Sequence, residues 1–228
     1  MTTYDRAMIW GAHPDDEITM SGTIALMADA GCEVVVVTFS KGDAGFCRPE
    51  WADTIADMRK KEAAACDEIL GISERVFLEL PDQGVRHEWQ TTRRLIGLLR
   101  KHRPQVLFTQ GPEDRNSDHC AIAAMTDEIV WQASENILAD EGEPYAVPLV
   151  YLYSGHANLG PAIEVDVTEV AERKIQAWLS QETQVEMLPR IRDRMEALRQ
   201  AIAEERERAT ERFVIWHRVT LSDFLALP

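Results

Sequence analysis

Short apolar runs alternate with longer segments of helical character along most of this chain, and this alternation constrains its fold more than any other feature. The runs with strand character lie at residues 8–11, 33–40, 75–80, 105–109 and 149–153. The helical segments between them lie at residues 19–30, 51–70, 90–102 and 117–134. Strands that alternate with helices are typical of a parallel sheet covered on both faces. The pattern therefore predicts a Rossmann-like three-layer α/β/α fold with a mostly parallel sheet.

Length and composition favour one large domain. The chain has 228 residues, of which 45% are hydrophobic, enough to bury a sizeable core. We expect a single domain over residues 1–228, with a core at 1–160 and a C-terminal extension of helix and strand at 161–228. In the extension, residues 163–165 and 213–219 look extended.

Residues 189–212 form a charged segment with apolar side chains at helical spacing, which predicts an amphipathic helix. Packing onto its own domain is the default interpretation of this helix. Contact with a second subunit is the alternative, and it would make the protein a homo-oligomer.

Net charge and hydropathy limit the classes of partner that the protein can bind. The formal net charge of −15 argues against nucleic acid and anionic membrane surfaces, because binding to polyanions relies on Lys and Arg. No N-terminal segment has the pattern of a secretory signal, and the most apolar run, at 34–37, is far too short to span a bilayer. We therefore expect a cytoplasmic protein whose partner is a small molecule.

A cluster of ionisable residues follows the first predicted strand, in the sequence AHPDDE at residues 12–17. Pro14 has no N–H group to extend a strand, so the cluster is expected at the strand's carboxyl end. Ligands bind at that edge of open α/β sheets, and an imidazole with three carboxylates there suggests a metal or acid/base site. Helix capping could explain Asp15 or Asp16 but not His13.

A second cluster, at residues 113–119, follows the fourth predicted strand and ends in Asp118 and His119. Such folds usually place the first and fourth strands side by side, so the two clusters would face each other. His13, Asp16 and His119 would then form an open coordination set of the kind that catalytic Zn²⁺ uses. The alternative for His119 is an ordinary position in the first turn of the next helix.

At these residues the chain resembles the PIG-L/LmbE-like family of zinc-dependent N-deacetylases. The hallmark AHPDDE motif is complete at 12–17, and an HPDH-like motif corresponds to 116–119. Weaker matches follow in the same order, including Arg59, the Leu-Pro-Asp sequence at 80–82 and the Val-Asp-Val sequence at 165–167. The resemblance extends over about the first four-fifths of the chain.

The resemblance implies roles for the residues of both clusters. His13, Asp16 and His119 would ligate one Zn²⁺, and Asp15 would be the general base that deprotonates the metal-bound water. Asp118 would support the catalytic centre from just outside the ligand set. The alternative for Asp118 is an ordinary acidic residue in the first turn of the next helix.

The resemblance also implies a substrate, namely an N-acetylglucosamine-type sugar or a related small conjugate. Arg59 and Asp82 would hold its hydroxyl groups. The alternatives are a solvated helix face for Arg59 and a backbone-bonded turn for Asp82.

One position departs from the family pattern. Asn116 stands where members commonly carry the first His of the HPDH-like motif, and Ser117 replaces the proline. Asn can donate a hydrogen bond to an oxyanion but cannot titrate, so Asn116 is a catalytic candidate with only part of that function. A zinc-binding, non-catalytic family member therefore remains an alternative.

A third interpretation is phosphoryl chemistry, in which Asp15 and Asp16 would hold Mg²⁺. The two histidines argue for zinc instead, because imidazole binds zinc better than it binds Mg²⁺.

The loops expected to determine substrate specificity, at 42–49, 139–148 and 155–161, contain no group that dictates one sugar. His156 follows the fifth predicted strand and is a further candidate to line the ligand-binding crevice at this edge of the sheet.

Overall fold

One seven-stranded sheet organises the protein in the computed structural model, which describes residues 4–155, 159 and 162–218. The strands are β1 (Arg6–Gly11), β2 (Glu33–Ser40), β3 (Glu74–Leu80), β4 (Val106–Gln110), β5 (Leu149–Ser154), β6 (Ala162–Asp166) and β7 (Thr210–Arg218). The helices are α1 (Ser21–Asp29), α2 (Ile55–Leu70), α3 (Trp89–His102), α4 (Ser117–Ser134), α5 (Ala171–Leu179), α6 (Glu182–Met187) and α7 (Arg190–Ala203). Short 3₁₀ turns precede α1, α2 and α5.

The strand order is β3-β2-β1-β4-β5-β7-β6, which confirms the predicted fold class. The first five strands pair in parallel, and β7 runs antiparallel between β5 and β6. Strands β1 and β4 are direct neighbours, with Met8 opposite Leu107. The loops that follow β1 and β4 therefore leave the sheet at the same edge.

Both faces of the sheet are covered, as continuous apolar strands require. Along β1, Ile9 belongs to the core under α1, α2 and α5, whereas Met8 and Trp10 belong to the core under α3 and α4. All three side chains are completely buried. The core therefore consists of two layers separated by the sheet, which holds the strand ends rigidly in place.

The C-terminal part differs from expectation in two respects. The amphipathic helix predicted over 189–212 ends at Ala203, because the apolar face ends at Ile202 and the chain turns at Glu205, which has a φ of 56°. Residues 210–212 belong instead to β7. Helices α5 and α6 were not predicted.

His156 and part of the predicted 155–161 loop lie outside the described residues. Among the helices that are described, none combines the length and apolar character needed to cross a membrane.

Candidate active site

The two predicted clusters meet at the carboxyl edge of the sheet. The Nε2 atom of His119 lies 3.3 Å from Nδ1 of His13 and 3.2 Å from Oδ1 of Asp16. The Nδ1 atom of His13 lies 3.6 Å from Oδ2 of Asp16. Residues that are about a hundred positions apart in the chain thus place two ring nitrogens and one carboxylate around a single point.

Asp16 is held in this position by the ends of both strands. Its Oδ2 atom accepts a hydrogen bond from the backbone N–H of His13 at 2.8 Å and another from Nε2 of Gln110 at 2.7 Å. Gln110 is the last residue of β4 and is fully buried. Sequence reasoning missed Gln110, and its place at the end of the strand beside β1 was the available signal.

The outer nitrogen of each imidazole contacts a carboxylate. Nδ1 of His119 lies 2.9 Å from Oδ2 of Asp114, and Nε2 of His13 lies 3.1 Å from Oδ1 of Asp82. Oδ2 of Asp118 is 3.5 Å from the same His13 nitrogen. Metal-binding histidines usually donate their second N–H in this way, which fixes the ring and its tautomer. Asp114 was not assigned this contact from the sequence.

The donor set fits a tetrahedral divalent ion. Ligands about 2.0–2.1 Å from Zn²⁺ stand roughly 3.3 Å from one another in a tetrahedron. Here the two ring nitrogens are 3.3 Å apart, Oδ1 of Asp16 is 3.2 Å from the His119 nitrogen, and Oδ2 of Asp16 is 3.6 Å from the His13 nitrogen. His13, Asp82 and Asp118 form a second acidic group on the other side of the His13 ring. Both oxygens of Asp118 already accept backbone N–H groups, from Gln83 and Val85, so the first group is the better metal site.

The electrostatics of the site also favour a cation. Burial alone lowers the pKa of His13, but hydrogen bonds to Asp16 and Asp82 raise it to about 10. Burial likewise opposes charge on His119, whereas Asp16 and Asp114 raise its pKa to about 9. Burial raises the pKa of Asp16, yet the two imidazoles more than reverse this and hold it far below its usual range. A metal ion could take the place of these protons.

Asp15 lies beside this centre and is paired with a buried arginine. Its Oδ1 atom is 2.5 Å from Nη2 of Arg59, and the Asp15 side chain retains 26% of its exposure. Nη1 of Arg59 donates to the backbone oxygen of Gly42 at 3.4 Å. Gly42 has a φ of 65°, and a Cβ there would overlap the guanidinium. The loop after β2 therefore needs glycine to let Arg59 reach Asp15.

Arg59 and Asp82 both line the cleft, but each also has a partner that the sequence did not predict. Arg59 holds Asp15, and Asp82 contacts His13 and accepts the N–H of Ala44 at 3.2 Å. Their contact with a sugar stays a prediction.

Asn116 and Asp118 begin helix α4. Asn116 is the N-cap residue, and its Oδ1 atom accepts the backbone N–H of Asp118 at 2.9 Å. It also lines the cleft. Asp118 is completely buried, so any effect it has on catalysis would pass through His13. The asparagine thus has a capping function that the expected histidine would perform less well.

Glu17, the last residue of the AHPDDE motif, does not join the site. It is completely buried and pairs with Nη2 of Arg75 at 2.6 Å. Arg75 also binds Asp67 and the hydroxyl of Thr38. The sequence suggested three carboxylates at this edge; two face the cleft, and the third anchors the motif in the core.

The chain is similar to known proteins in sequence and in fold. A family profile described as "PIG-L: GlcNAc-PI de-N-acetylase" matches residues 8–130, more than half of the chain. The diacetylchitobiose deacetylase of Thermococcus kodakarensis is 25% identical over 75% of this chain and 67% of its own length. The 4-oxalmesaconate hydratase of Pseudomonas putida is 27% identical over 77% of this chain and 72% of its own length.

The fold also matches solved structures. A conserved protein of Thermus thermophilus superposes with a TM-score of 0.78 at 26% identity, covering 96% of this chain and 97% of that one. The chain therefore shares its architecture with that protein, and its relatives by sequence are named for different reactions.

Proposed function

This chain belongs to the PIG-L family of de-N-acetylases, and from that premise we propose that it is a metal-dependent hydrolase of N-acylated amino sugars. Its substrate would be an N-acetylglucosamine-type sugar or a small conjugate of one. The observation that carries the proposal is the meeting of His13, Asp16 and His119 with Asp15 at the edge of the same cleft. A curated relative named for diacetylchitobiose deacetylation supports the substrate class.

His13, Asp16 and His119 would hold a single Zn²⁺. When bound, the ion supplies Lewis acidity, which polarises an amide carbonyl and lowers the pKa of a water molecule to roughly 7. The carboxylates of Asp82 and Asp114, which contact the outer ring nitrogens, would keep both rings in the orientation that binding requires.

Asp15 is the proposed general base. Its carboxylate is partly exposed to the cleft, and Arg59 fixes the side chain by holding one oxygen. The other oxygen can take the proton from the attacking water and later deliver it to the departing amine. If Asp15 both accepts the proton from water and delivers it to the amine, the histidine that Asn116 replaces is not needed for proton transfer.

Asn116 is the proposed oxyanion donor. Its Oδ1 atom is committed to the helix cap, which leaves the amide nitrogen as the donor that can serve a substrate. Replacement by Asp would keep the cap but remove the donor. We expect Asn116→Asp to lower kcat by roughly 10²- to 10³-fold with little change in Tm, whereas Asn116→Ala should lower both. An unchanged kcat in Asn116→Asp would limit Asn116 to capping.

The cleft beside these groups, about 280 Å³ in volume, would hold the sugar. Arg59 and Asp82 line its wall together with Gln83, and they offer donors and acceptors that suit a polyol.

The test is incubation of the zinc-loaded protein with a panel of N-acetylated amino sugars, with release of free amine as the readout. We expect turnover that falls by roughly 10²- to 10⁴-fold in Asp15→Asn. Asp53→Asn is the matched control, because Asp53 is an exposed carboxylate that does not line the cleft. Equal rates in wild type and Asp15→Asn would remove Asp15 from the mechanism.

Hydration of a carbon–carbon double bond is the second candidate, because a relative of similar identity is a 4-oxalmesaconate hydratase. Such a substrate is an anion, whereas Asp15, Asp16 and Asp82 line the cleft and Arg59 is already paired. The charge pattern therefore favours a neutral sugar. Loss of the ultraviolet absorbance of an unsaturated oxo-tricarboxylate, without amine release from any amide, would favour the hydratase over the deacetylase.

A further inference from the structure

A separate apolar pocket of about 200 Å³ adjoins the candidate active site. Its apolar lining comes from Ile18, Trp178, Val185, Leu188 and Ile191. Leu188 is 54% exposed, so part of this apolar lining faces solvent. Thr19 and Gln181 add polar atoms to the lining, so the pocket is a mostly apolar space beside a polar reaction centre.

The apolar pocket and the polar cleft share a wall. Asp15, Asp16 and Gln184 line both of them. Asp15 is the proposed base and Asp16 a proposed metal ligand, so the reacting carbonyl must lie against this wall. The two substituents of an amide bond at that point would extend into the two adjoining spaces.

The pocket is built mostly from residues beyond the family match at 8–130, namely from α5, α6 and the start of α7. Its walls are nevertheless anchored to the part of the chain that the family match covers. The N–H and hydroxyl of Thr183 both donate to Glu62 at 2.7 Å, and Nε2 of Gln184 donates to the oxygen of Gly45 at 3.0 Å. The pocket is therefore a fixed feature of the structure.

We propose that the pocket receives the acyl side of the substrate, so that the preferred substrate carries an apolar N-acyl chain of about six carbons in place of acetyl. This inference rests on the proposed amide hydrolysis and names its substrate class. The sugar is the polar half of the amide and matches the polar cleft, which leaves the acyl half for the apolar pocket. An apolar cavity of roughly 150 Å³ can hold a six-carbon ring, so 200 Å³ is ample for a hexanoyl chain.

The experiment compares kcat/KM for glucosamine N-acylated with acetyl, butanoyl, hexanoyl and octanoyl groups, using the zinc-loaded protein. Burial of four further methylenes predicts a rise of about tenfold or more from acetyl to hexanoyl. A second series carries N-acetyl and an alkyl glycoside of increasing length. A rise only in the alkyl glycoside series would overturn the proposal, because the pocket would then hold the amine side.

Two variants test whether the preference for a longer acyl chain arises in this pocket. Ile191→Trp should fill the pocket, and Leu188→Gln should make its exposed wall polar without disturbing the core. Both should bring the hexanoyl-to-acetyl ratio of kcat/KM close to one. The control is Ile137→Trp, at a residue that is 44% exposed and lies outside both spaces. A ratio that stays high in Leu188→Gln and Ile191→Trp would contradict the assignment.

A binding measurement separates this inference from the proposed function. In zinc-loaded Asp15→Asn protein, calorimetry should show tighter binding of N-hexanoylglucosamine than of N-acetylglucosamine, with the difference lost in the added Leu188→Gln background. If binding depends on the length of the acyl chain but wild type hydrolyses neither ligand, the proposed hydrolase is rejected and the acyl-binding pocket is supported. If wild type hydrolyses the N-acetyl substrate best, the proposed hydrolase is supported and the acyl-binding role of the pocket is rejected.

Discussion

Each imidazole of the candidate metal centre is held from behind by a carboxylate, and this pairing decides where its inner nitrogen points. For His119 the partner is Asp114, whose second oxygen accepts the backbone N–H of Asn116 at 2.9 Å. One aspartate thus shapes the turn before α4 and orients the ring of His119. Such partners typically contribute a factor of 10–100 to metal affinity.

We therefore expect Asp114→Asn to bind zinc about tenfold or more weakly than wild type. The substitution keeps the size of the side chain and an oxygen for the turn, but it removes the charge behind the ring. Competition with a chromophoric chelator measures the dissociation constant. Asp140→Asn, at an exposed carboxylate paired with Arg93, is the control. Equal affinities in the two variants would show that Asp114 only shapes the loop.

At the scale of residues, the sequence predicted which residues form the site better than it predicted which side chains contact each other. AHPDDE and the later Asp-His pair indicated the residues that meet at this edge, because both follow strands expected to be neighbours. The partners Gln110 and Asp114, the Arg59–Asp15 pair and the burial of Glu17 depend on how side chains turn within loops. No spacing rule in a single sequence encodes those turns.

At the scale of elements, helix α1 begins without a cap from its own sequence. Its N-cap residue is Met20, which has no side-chain acceptor for the first turn. Glu211, on β7, supplies the acceptors instead: its two oxygens accept the N–H groups of Gly22 at 2.9 Å and Thr23 at 2.8 Å. Lys174 of α5 contacts the same carboxylate. The carboxylate therefore ties β7 and α5 to the helix that follows the active-site motif.

We expect Glu211→Gln to destabilise the protein by roughly 2–3 kcal/mol, since it removes a buried charge from the helix N-terminus and leaves Lys174 unpaired. For a chain of this size, Tm should fall by about 4–12 °C. Glu68→Gln, at an exposed carboxylate on α2, should leave Tm unchanged. Thermal unfolding followed by circular dichroism makes the comparison, and matching curves for the two variants would contradict the capping role.

The elements that could be predicted were those with a strong local pattern. Strand β2 and helix α4 begin and end where the sequence predicted, because a buried valine run and an Asn cap mark them. Helices α5 and α6 were missed because they are short and are stabilised by distant partners such as Glu62 and Glu211. Most helical stability comes from tertiary packing of this kind.

At the scale of the whole molecule, the described part of the predicted C-terminal extension, residues 162–218, packs against the predicted core. Strand β7 pairs with β5 of the core, and α5 packs against α1 and α2. Removal of the extension would expose the edge of β5 and one face of both helices. We propose that the two parts fold as one unit.

A chain truncated after residue 160 should consequently fail to give a cooperative unfolding transition. The long unpaired edge of β5 and the exposed apolar surface of α1 and α2 should promote aggregation. Calorimetry and light scattering of the truncated and full-length chains provide the measurement. A soluble truncated monomer with a sharp transition would make the core an independent domain.

The fold class was predictable because alternating strands and helices admit few arrangements once right-handed crossovers are assumed. The placement of β7 between β5 and β6 was not, since antiparallel pairing of a distant strand leaves no periodic signal. Light scattering would also test the alternative interpretation of the amphipathic helix, a homo-oligomer in which part of α7 would contact a second subunit.

The central claim is that two distant loops form one metal site. Anomalous scattering at the zinc absorption edge, measured on crystals of the zinc-loaded protein, tests it most directly. We predict a single strong peak about 2.0–2.2 Å from Nδ1 of His13, a carboxylate oxygen of Asp16 and Nε2 of His119. A peak on the other side of the His13 ring, between Asp82 and Asp118, or no peak at either position, would contradict the account.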